Sequence, residues 1–88
     1  MKNRSRIDII SQILGAAAAR NGDRGITRTR IIYKAFLNNT QSKEYLSTLV
    51  KSGLLNYDKK TAEYTTTEKG KRLLKTYEQM GQVIKIEN

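Results

Sequence analysis

The sequence predicts a mainly α-helical fold with one small β-hairpin, in the order helix, short strand, helix, helix, strand, loop, strand, helix. Two observations predict it. Apolar residues recur at spacings of three and four in four separate stretches, each preceded by a Ser, Thr or Asn that is suited to cap a helix. Between the third and fourth stretches, two short runs with aromatic and branched residues flank a polar loop, which is the pattern of a two-stranded hairpin.

The first helix is expected over residues 6–20. Ser5 is its N-cap and Asp8 lies in its first turn, where the helix dipole favours a carboxylate. Its apolar face consists of Ile7, Ile10, Ile13, Leu14, Ala17 and Ala18. The polar segment 20–25 contains two glycines and separates this helix from the next.

The second and third helices are short and close together in the chain. Ile26 is expected in a short strand before Thr27, which caps the second helix; the apolar residues of that helix are Ile31, Ile32, Ala35 and Phe36. Asn38 caps the third helix and Gln41 completes a capping box. The apolar stripe of the third helix consists of Leu46, Leu49 and Val50, and Gly53 ends the helix.

The hairpin and a last helix complete the chain. Strands are expected over 54–58 and 63–65, joined by a wing loop over 59–62. Thr66 or Thr67 caps the last helix, expected over 67–86, and Glu68 lies near its positive end. The apolar side of this helix consists of Leu73, Leu74, Tyr77, Met80 and Ile84.

Composition restricts the function. A chain of 88 residues fits one domain, and its formal net charge of +9 favours a polyanionic partner, above all nucleic acid. The chain has neither cysteine nor histidine, which excludes disulfides, most zinc sites and the commonest general base. We therefore expect a cytoplasmic, nucleoid-associated binding protein that has no catalytic activity, cofactor, metal ion or membrane partner.

Two short helices joined by a tight turn, the second followed directly by a hairpin, are typical of a winged helix-turn-helix. Once the apolar stripe of the third helix faces the core, its outward side presents groups that can reach base edges or phosphates of double-stranded DNA: Asn39, Thr40, Lys43 and Ser47. Glu44 also points outward but is better explained as a solvated charge. Phosphate contacts are expected from Arg28, Arg30, Lys34, Lys59 and Lys60. Lys2, Arg4 and Arg6 form a basic arm, of which residues 1–5 are either flexible or DNA-bound.

Five segments carry a resemblance to a known family. They are RSRIDII at 4–10, TRTRIIYKA at 27–35, KEYL at 43–46, GLL at 53–55 and TTEKG at 66–70. In this order and spacing they resemble the small archaeal winged-helix proteins that are predicted transcriptional regulators. The resemblance implies a winged-helix fold and DNA binding in transcription or chromatin, and some similar proteins dimerise through a long antiparallel pair of C-terminal helices. Ser42 departs from the family, which usually has an aliphatic residue there, so we expect either looser packing or a hydroxyl buried against a backbone carbonyl.

The last helix also carries a candidate dimer surface. Leu73, Tyr77, Met80 and Ile84 are spaced four, three and four residues apart, as in a coiled-coil seam. The domain's own core accounts for the first turn or two of this stripe without a partner. We expect Tyr77, Met80 and Ile84 to pair two copies of the chain in a homodimer.

Three other functions compete with a sequence-specific regulator. A nonspecific chromatin protein and an RNA-binding protein share the same charge, and a protein-interaction module in a transcription complex shares the same fold. An enzyme is least favoured, because the eight carboxylates show no spacing that suggests an acid and base pair.

Overall fold

The computed structural model describes the backbone of residues 5–18 and 25–87, and the side chains of these residues up to 80. The elements are α1 (Arg6–Ala17), β1 (Ile26–Thr27), α2 (Arg28–Ala35), α3 (Asn39–Lys51), β2 (Leu55–Asp58), β3 (Glu63–Thr66) and α4 (Glu68–Glu87). The predicted fold class and element order are confirmed. No described helix is both long enough and apolar enough to cross a membrane.

Helix α1 begins as predicted and ends early. The Ser5 hydroxyl accepts a hydrogen bond from the Asp8 amide at 3.1 Å, and the Asp8 carboxylate accepts one from the Ser5 amide at 3.3 Å. The predicted end at residue 20 is wrong, because Ala18 already has an extended backbone. Alanine has a high intrinsic helix propensity, but helices in proteins are stabilised mainly by packing against the core. Ala17 is the last residue of α1 that the core buries.

At the end of α2, Leu37 and not the predicted Phe36 enters the core. Thr27 caps the helix as predicted, with its hydroxyl accepting from the Arg30 amide at 3.4 Å. Phe36 was expected on the apolar side of the helix, but it adopts a left-handed conformation (φ 54°) and is 77% exposed. A left-handed residue at a helix end redirects the chain, so Leu37 enters the core instead of Phe36.

Helix α3 is held at its start by the predicted capping box. The Asn38 side chain accepts from the Gln41 amide at 2.7 Å, and the Gln41 side chain accepts from the Asn38 amide at 3.2 Å. Ser42 is completely buried and donates its hydroxyl to the Asn39 carbonyl at 2.8 Å, so the family's aliphatic residue is replaced by a satisfied polar group. The prediction that Val50 faces the core is wrong, since it is 37% exposed.

The hairpin belongs to a three-stranded antiparallel sheet in the order β1, β3, β2. Ile26 pairs with Tyr64, which in turn pairs with Tyr57 across the hairpin. In the wing loop the Asp58 carboxylate accepts from the Lys60 amide at 2.9 Å, and the Asp58 carbonyl accepts from the Ala62 amide at 2.8 Å. These bonds close the loop and place Lys59 and Lys60 at its exposed tip.

The two predicted candidates for the cap of α4 have different roles. Thr67 is the cap, because its hydroxyl accepts from the Gly70 amide at 3.1 Å. Thr66 is buried and donates to the Leu14 carbonyl at 2.7 Å. Leu14 is within the last turn of α1, where backbone carbonyls lack helical partners, so Thr66 ties the end of α1 to the sheet.

The core lies between α1, α2, α3 and the sheet. It contains Ile9, Ile13, Leu14, Ala17, Ile26, Ile31, Ala35, Leu37, Leu46, Leu49 and Leu55. Leu73 and Leu74 of α4 pack against its edge. As predicted, the beginning of the α4 stripe is therefore part of the domain's own core.

Candidate nucleic-acid interface

A row of exposed polar side chains runs along α3. Asn39, Lys43 and Ser47 are four residues apart and therefore lie on one face of the helix. All three are exposed, as is Thr40 beside them, because Ser42, Leu46 and Leu49 occupy the buried side. The predicted base-contacting residues thus share an accessible surface.

A groove separates this face of α3 from the sheet. It has a volume of about 390 Å³ and is lined by Arg28, Lys43, Leu46, Ser47, Val50, Lys51, Tyr57 and Tyr64. Three of the predicted contact residues, Arg28, Lys43 and Ser47, are brought together here. The exposed side of Val50 faces this groove, which explains why that residue is not part of the core.

Three lining residues were missed by the sequence analysis. Lys51 continues the four-residue spacing of Asn39, Lys43 and Ser47, so the sequence contained a signal for it. Tyr57 and Tyr64 were not among the predicted contact residues. Their common position beside α3 depends on the strand register, which sequence spacing alone does not provide.

The two groove tyrosines form an aromatic pair. Their ring centroids are 4.8 Å apart with an interplanar angle of 43°, within the range of favourable aromatic contacts. Partial burial raises the pKa of Tyr64 above its usual value of 10.0, nearby Tyr57 adds to this effect, and Arg28 opposes it. The Tyr64 phenol is therefore neutral at physiological pH and can donate a hydrogen bond.

The other predicted phosphate contacts lie outside the groove. Arg30 and Lys34 are one turn apart on α2 and both exposed, but Arg28, two residues before Arg30, faces another direction. Lys59 and Lys60 occupy the tip of the wing loop.

Two predicted regions are only partly described. In the basic arm, Arg6 is exposed, whereas Lys2 and Arg4 lie outside the described residues. On the predicted dimer surface, Tyr77 is half-buried and Met80 is 48% exposed. The backbone of α4 continues through Ile84, whose side chain is outside the described set.

The carboxylates whose side chains the structure describes do not line the groove. Glu44 lines a different depression, together with Arg6 and Thr48. Asp58 and Glu63 pair with each other across the hairpin, next to the tyrosine pair. Because successive strand residues point to opposite faces, these two carboxylates lie on the other face of the sheet. Among the described residues, no group of three carboxylates is arranged to hold a metal ion.

Comparisons with known proteins agree with this architecture. A family model described as winged helix-turn-helix matches residues 3–85. The crystal structure of Sso10a-2, a DNA-binding protein from Sulfolobus solfataricus, is similar with a TM-score of 0.75 and 33% sequence identity, over 93% of this chain and 83% of that one. A search of curated proteins found no match. The resemblance to small archaeal winged-helix proteins is confirmed, and the chain belongs to the winged helix-turn-helix family.

Proposed function

We propose that this protein binds double-stranded DNA as a nucleoid-associated transcriptional regulator, with α3 in the major groove and the wing loop on the backbone. The observation that carries the proposal is the exposed row Asn39, Lys43 and Ser47 on α3. Amide, ammonium and hydroxyl groups are the types that hydrogen-bond base edges and phosphates. The DNA binding of Sso10a-2 and the net charge of +9 also support it.

Selection from a random-sequence duplex pool at several salt concentrations tests this function. Enrichment of a sequence motif is expected from a regulator that reads bases. Strong binding without enrichment would instead indicate a nonspecific chromatin protein, and stronger binding to RNA than to duplex DNA an RNA-binding protein. Negligible binding would contradict DNA binding altogether and favour a protein-interaction domain.

The role of α3 is tested with Lys43→Ala. If Lys43 contacts a base, the variant loses about 1–3 kcal/mol of discrimination between the enriched duplex and a scrambled one. Glu44→Ala is the matched control, since Glu44 is the next residue of the helix but lines the other depression. An equal loss of affinity for both duplexes would make Lys43 a phosphate contact.

The role of the wing loop is tested with the double variant Lys59→Ala/Lys60→Ala. Each phosphate contact contributes about 0.9 to the slope of log affinity against log salt, so the slope should become shallower by nearly two units. An unchanged slope would exclude the wing tip from the interface.

We also propose a homodimer formed through α4 at Tyr77, Met80 and Ile84. Leu73 and Leu74 reach the core edge, whereas Met80 is 48% exposed on a helix that continues to Glu87. Met80 continues the apolar stripe that begins at Leu73, and an exposed apolar stripe suits an association surface. Two copies joined in this way would present two α3 helices to one duplex.

Analytical sedimentation tests the dimer. Ile84→Glu places a charge in the proposed seam and should yield monomers, whereas Glu78→Gln, on an exposed part of the same helix, should not. A wild-type protein that sediments as a monomer at high concentration would contradict the proposal.

A further inference from the structure

The groove beside α3 is built from two unlike walls. Lys43, Ser47 and Lys51 form the rim on α3, while Leu46 and Val50 of the same helix supply an apolar lining. The polar rim residues are four positions apart along α3, and so are the two apolar residues. One side of α3 therefore contributes both a polar rim and, next to it, the apolar floor of the groove. The opposite wall is the tyrosine pair, and Arg28 joins the lining from the start of α2.

The tyrosine wall is an extension of the core face of the sheet. Leu55 and Thr66 are paired and buried, and the next pair on the same face is Tyr57 with Tyr64. At this point the core ends, Tyr57 is exposed, and Tyr64 is half-buried. Tyrosine suits such a position because its ring packs while its hydroxyl meets water or a polar ligand.

The charge of the groove is uncompensated within the described chain. Arg28, Lys43 and Lys51 all line it, and none forms an ion pair with a described carboxylate. Asp58 and Glu63 lie on the other face of the sheet. The groove therefore combines three cations, two phenols and an apolar floor, without an acidic lining residue.

We propose that this groove holds one sugar–phosphate unit of a bound DNA strand, with Lys51, Tyr57 and Tyr64 as backbone contacts that add to those of the wing loop. This inference rests on the proposed DNA binding and adds the path of one strand between α3 and the hairpin. The positive charges of Lys51 and Arg28 attract the phosphate, and the phenols donate hydrogen bonds to its oxygens. The deoxyribose packs against the ring of Tyr57 and the side chain of Val50.

The chemistry of the lining favours this occupant. Phosphate oxygens are acceptors only, which matches the arginine, lysine and phenol donors. The neutral state of Tyr64, whose pKa is raised by burial, preserves its role as a donor. Contacts of this kind position a duplex without reading its sequence.

The experiment uses the full chain and a fluorescent random-sequence duplex of about 21 base pairs, two helical turns. Affinity is measured across a salt series for Lys51→Gln and for Lys75→Gln, a matched loss of charge on the exposed side of α4. We expect Lys51→Gln to reduce the magnitude of the salt slope by about 0.9 and Lys75→Gln to leave it unchanged. Lys51→Arg should restore the wild-type slope.

A second variant tests the phenols. Tyr57→Phe/Tyr64→Phe retains both rings, so the wall remains, and its affinity for every duplex should fall about ten-fold or more, since bonds to a charged phosphate are lost. Unfolding in urea verifies that the variants are folded. An unchanged slope in Lys51→Gln with an unchanged affinity in the double variant overturns the groove assignment. If the wild type itself does not bind the duplex, both this assignment and the proposed function fail.

Discussion

Replacing Gly70 by alanine should destabilise the protein, although alanine normally favours a helix. Gly70 is a buried residue in the first turn of α4, packed against the chain that links α3 to β2. A Cβ atom at this position would overlap the Leu54 carbonyl oxygen and lie 2.6 Å from the Thr66 methyl carbon. The same Leu54 carbonyl accepts a hydrogen bond from the Thr67 amide at 3.1 Å, so it is not free to move.

The opposing effects differ in size. Alanine gains at most about 1 kcal/mol over glycine within a helix. Overlap with backbone in a packed interior costs about 1–3 kcal/mol, and displacement of the Leu54 carbonyl costs about 1 kcal/mol more through its hydrogen bond to Thr67. We therefore expect a net loss of about 1–3 kcal/mol, which corresponds to a decrease in Tm of roughly 4–8 °C for each kcal/mol.

Urea unfolding followed by circular dichroism measures this loss, and Gly15→Ala is the matched control. Gly15 lies inside α1, and nothing lies within 4 Å of a Cβ added there. Alanine at this position should stabilise the protein by about 0.5–1 kcal/mol. If Gly70→Ala also increased the free energy of unfolding, helix propensity would outweigh the close approach to Leu54, and the reasoning would be refuted.

Three further predictions also concern the stability of the folded protein. Thr66→Val should lower the free energy of unfolding by about 1–3 kcal/mol in urea, because the Leu14 carbonyl loses its buried donor; an unchanged midpoint would mean that water replaces the hydroxyl. Gly25→Ala should also destabilise, by about 1–3 kcal/mol, since its Cβ would lie 2.5 Å from the Tyr64 carbonyl oxygen, and thermal unfolding that matches wild type would contradict this. Burial and Tyr57 raise the folded-state pKa of Tyr64, so the unfolded chain loses this proton first as pH rises past about 10. The Tyr64 contribution to stability is complete below that pH and declines above it, and Tyr64→Phe should show a smaller alkaline loss of stability than wild type.

The predictable parts of the fold were those governed by local chemistry. The Asn38–Gln41 capping box was predicted from the sequence, as was the Ser5 cap with Asp8 in the first turn, because in both cases the two partners are three residues apart. The structure adds that Ser5 and Asp8 also form a capping box. Phe36 could not be placed in this way. Its position depends on a left-handed turn that gives the core site to Leu37, and helical periodicity gives no indication of such a turn.

The candidate site also has one part that the sequence predicts and one part that it does not. Exposure of Asn39, Lys43 and Ser47 follows from the helical period once the buried side of α3 is known. The groove does not follow, because it requires Tyr57 and Tyr64 to pair across the hairpin and to face α3. Strand pairing joins residues distant in sequence, and a shift of one residue would exchange the two faces of the hairpin.

The separation of tyrosines from carboxylates on the two faces of the hairpin has a consequence for the kinetics of association. Asp58 and Glu63 weaken the attraction of an approaching polyanion to their face of the sheet, whereas Lys43 and Lys51 strengthen its attraction to the side that faces the groove. This difference in electrostatic attraction extends over about one Debye length, roughly 10 Å at 0.1 M salt. It therefore orients the protein relative to the polyanion before the two make contact. The fraction of collisions that are productive is therefore highest in dilute salt, and the association rate constant should decrease as salt is added.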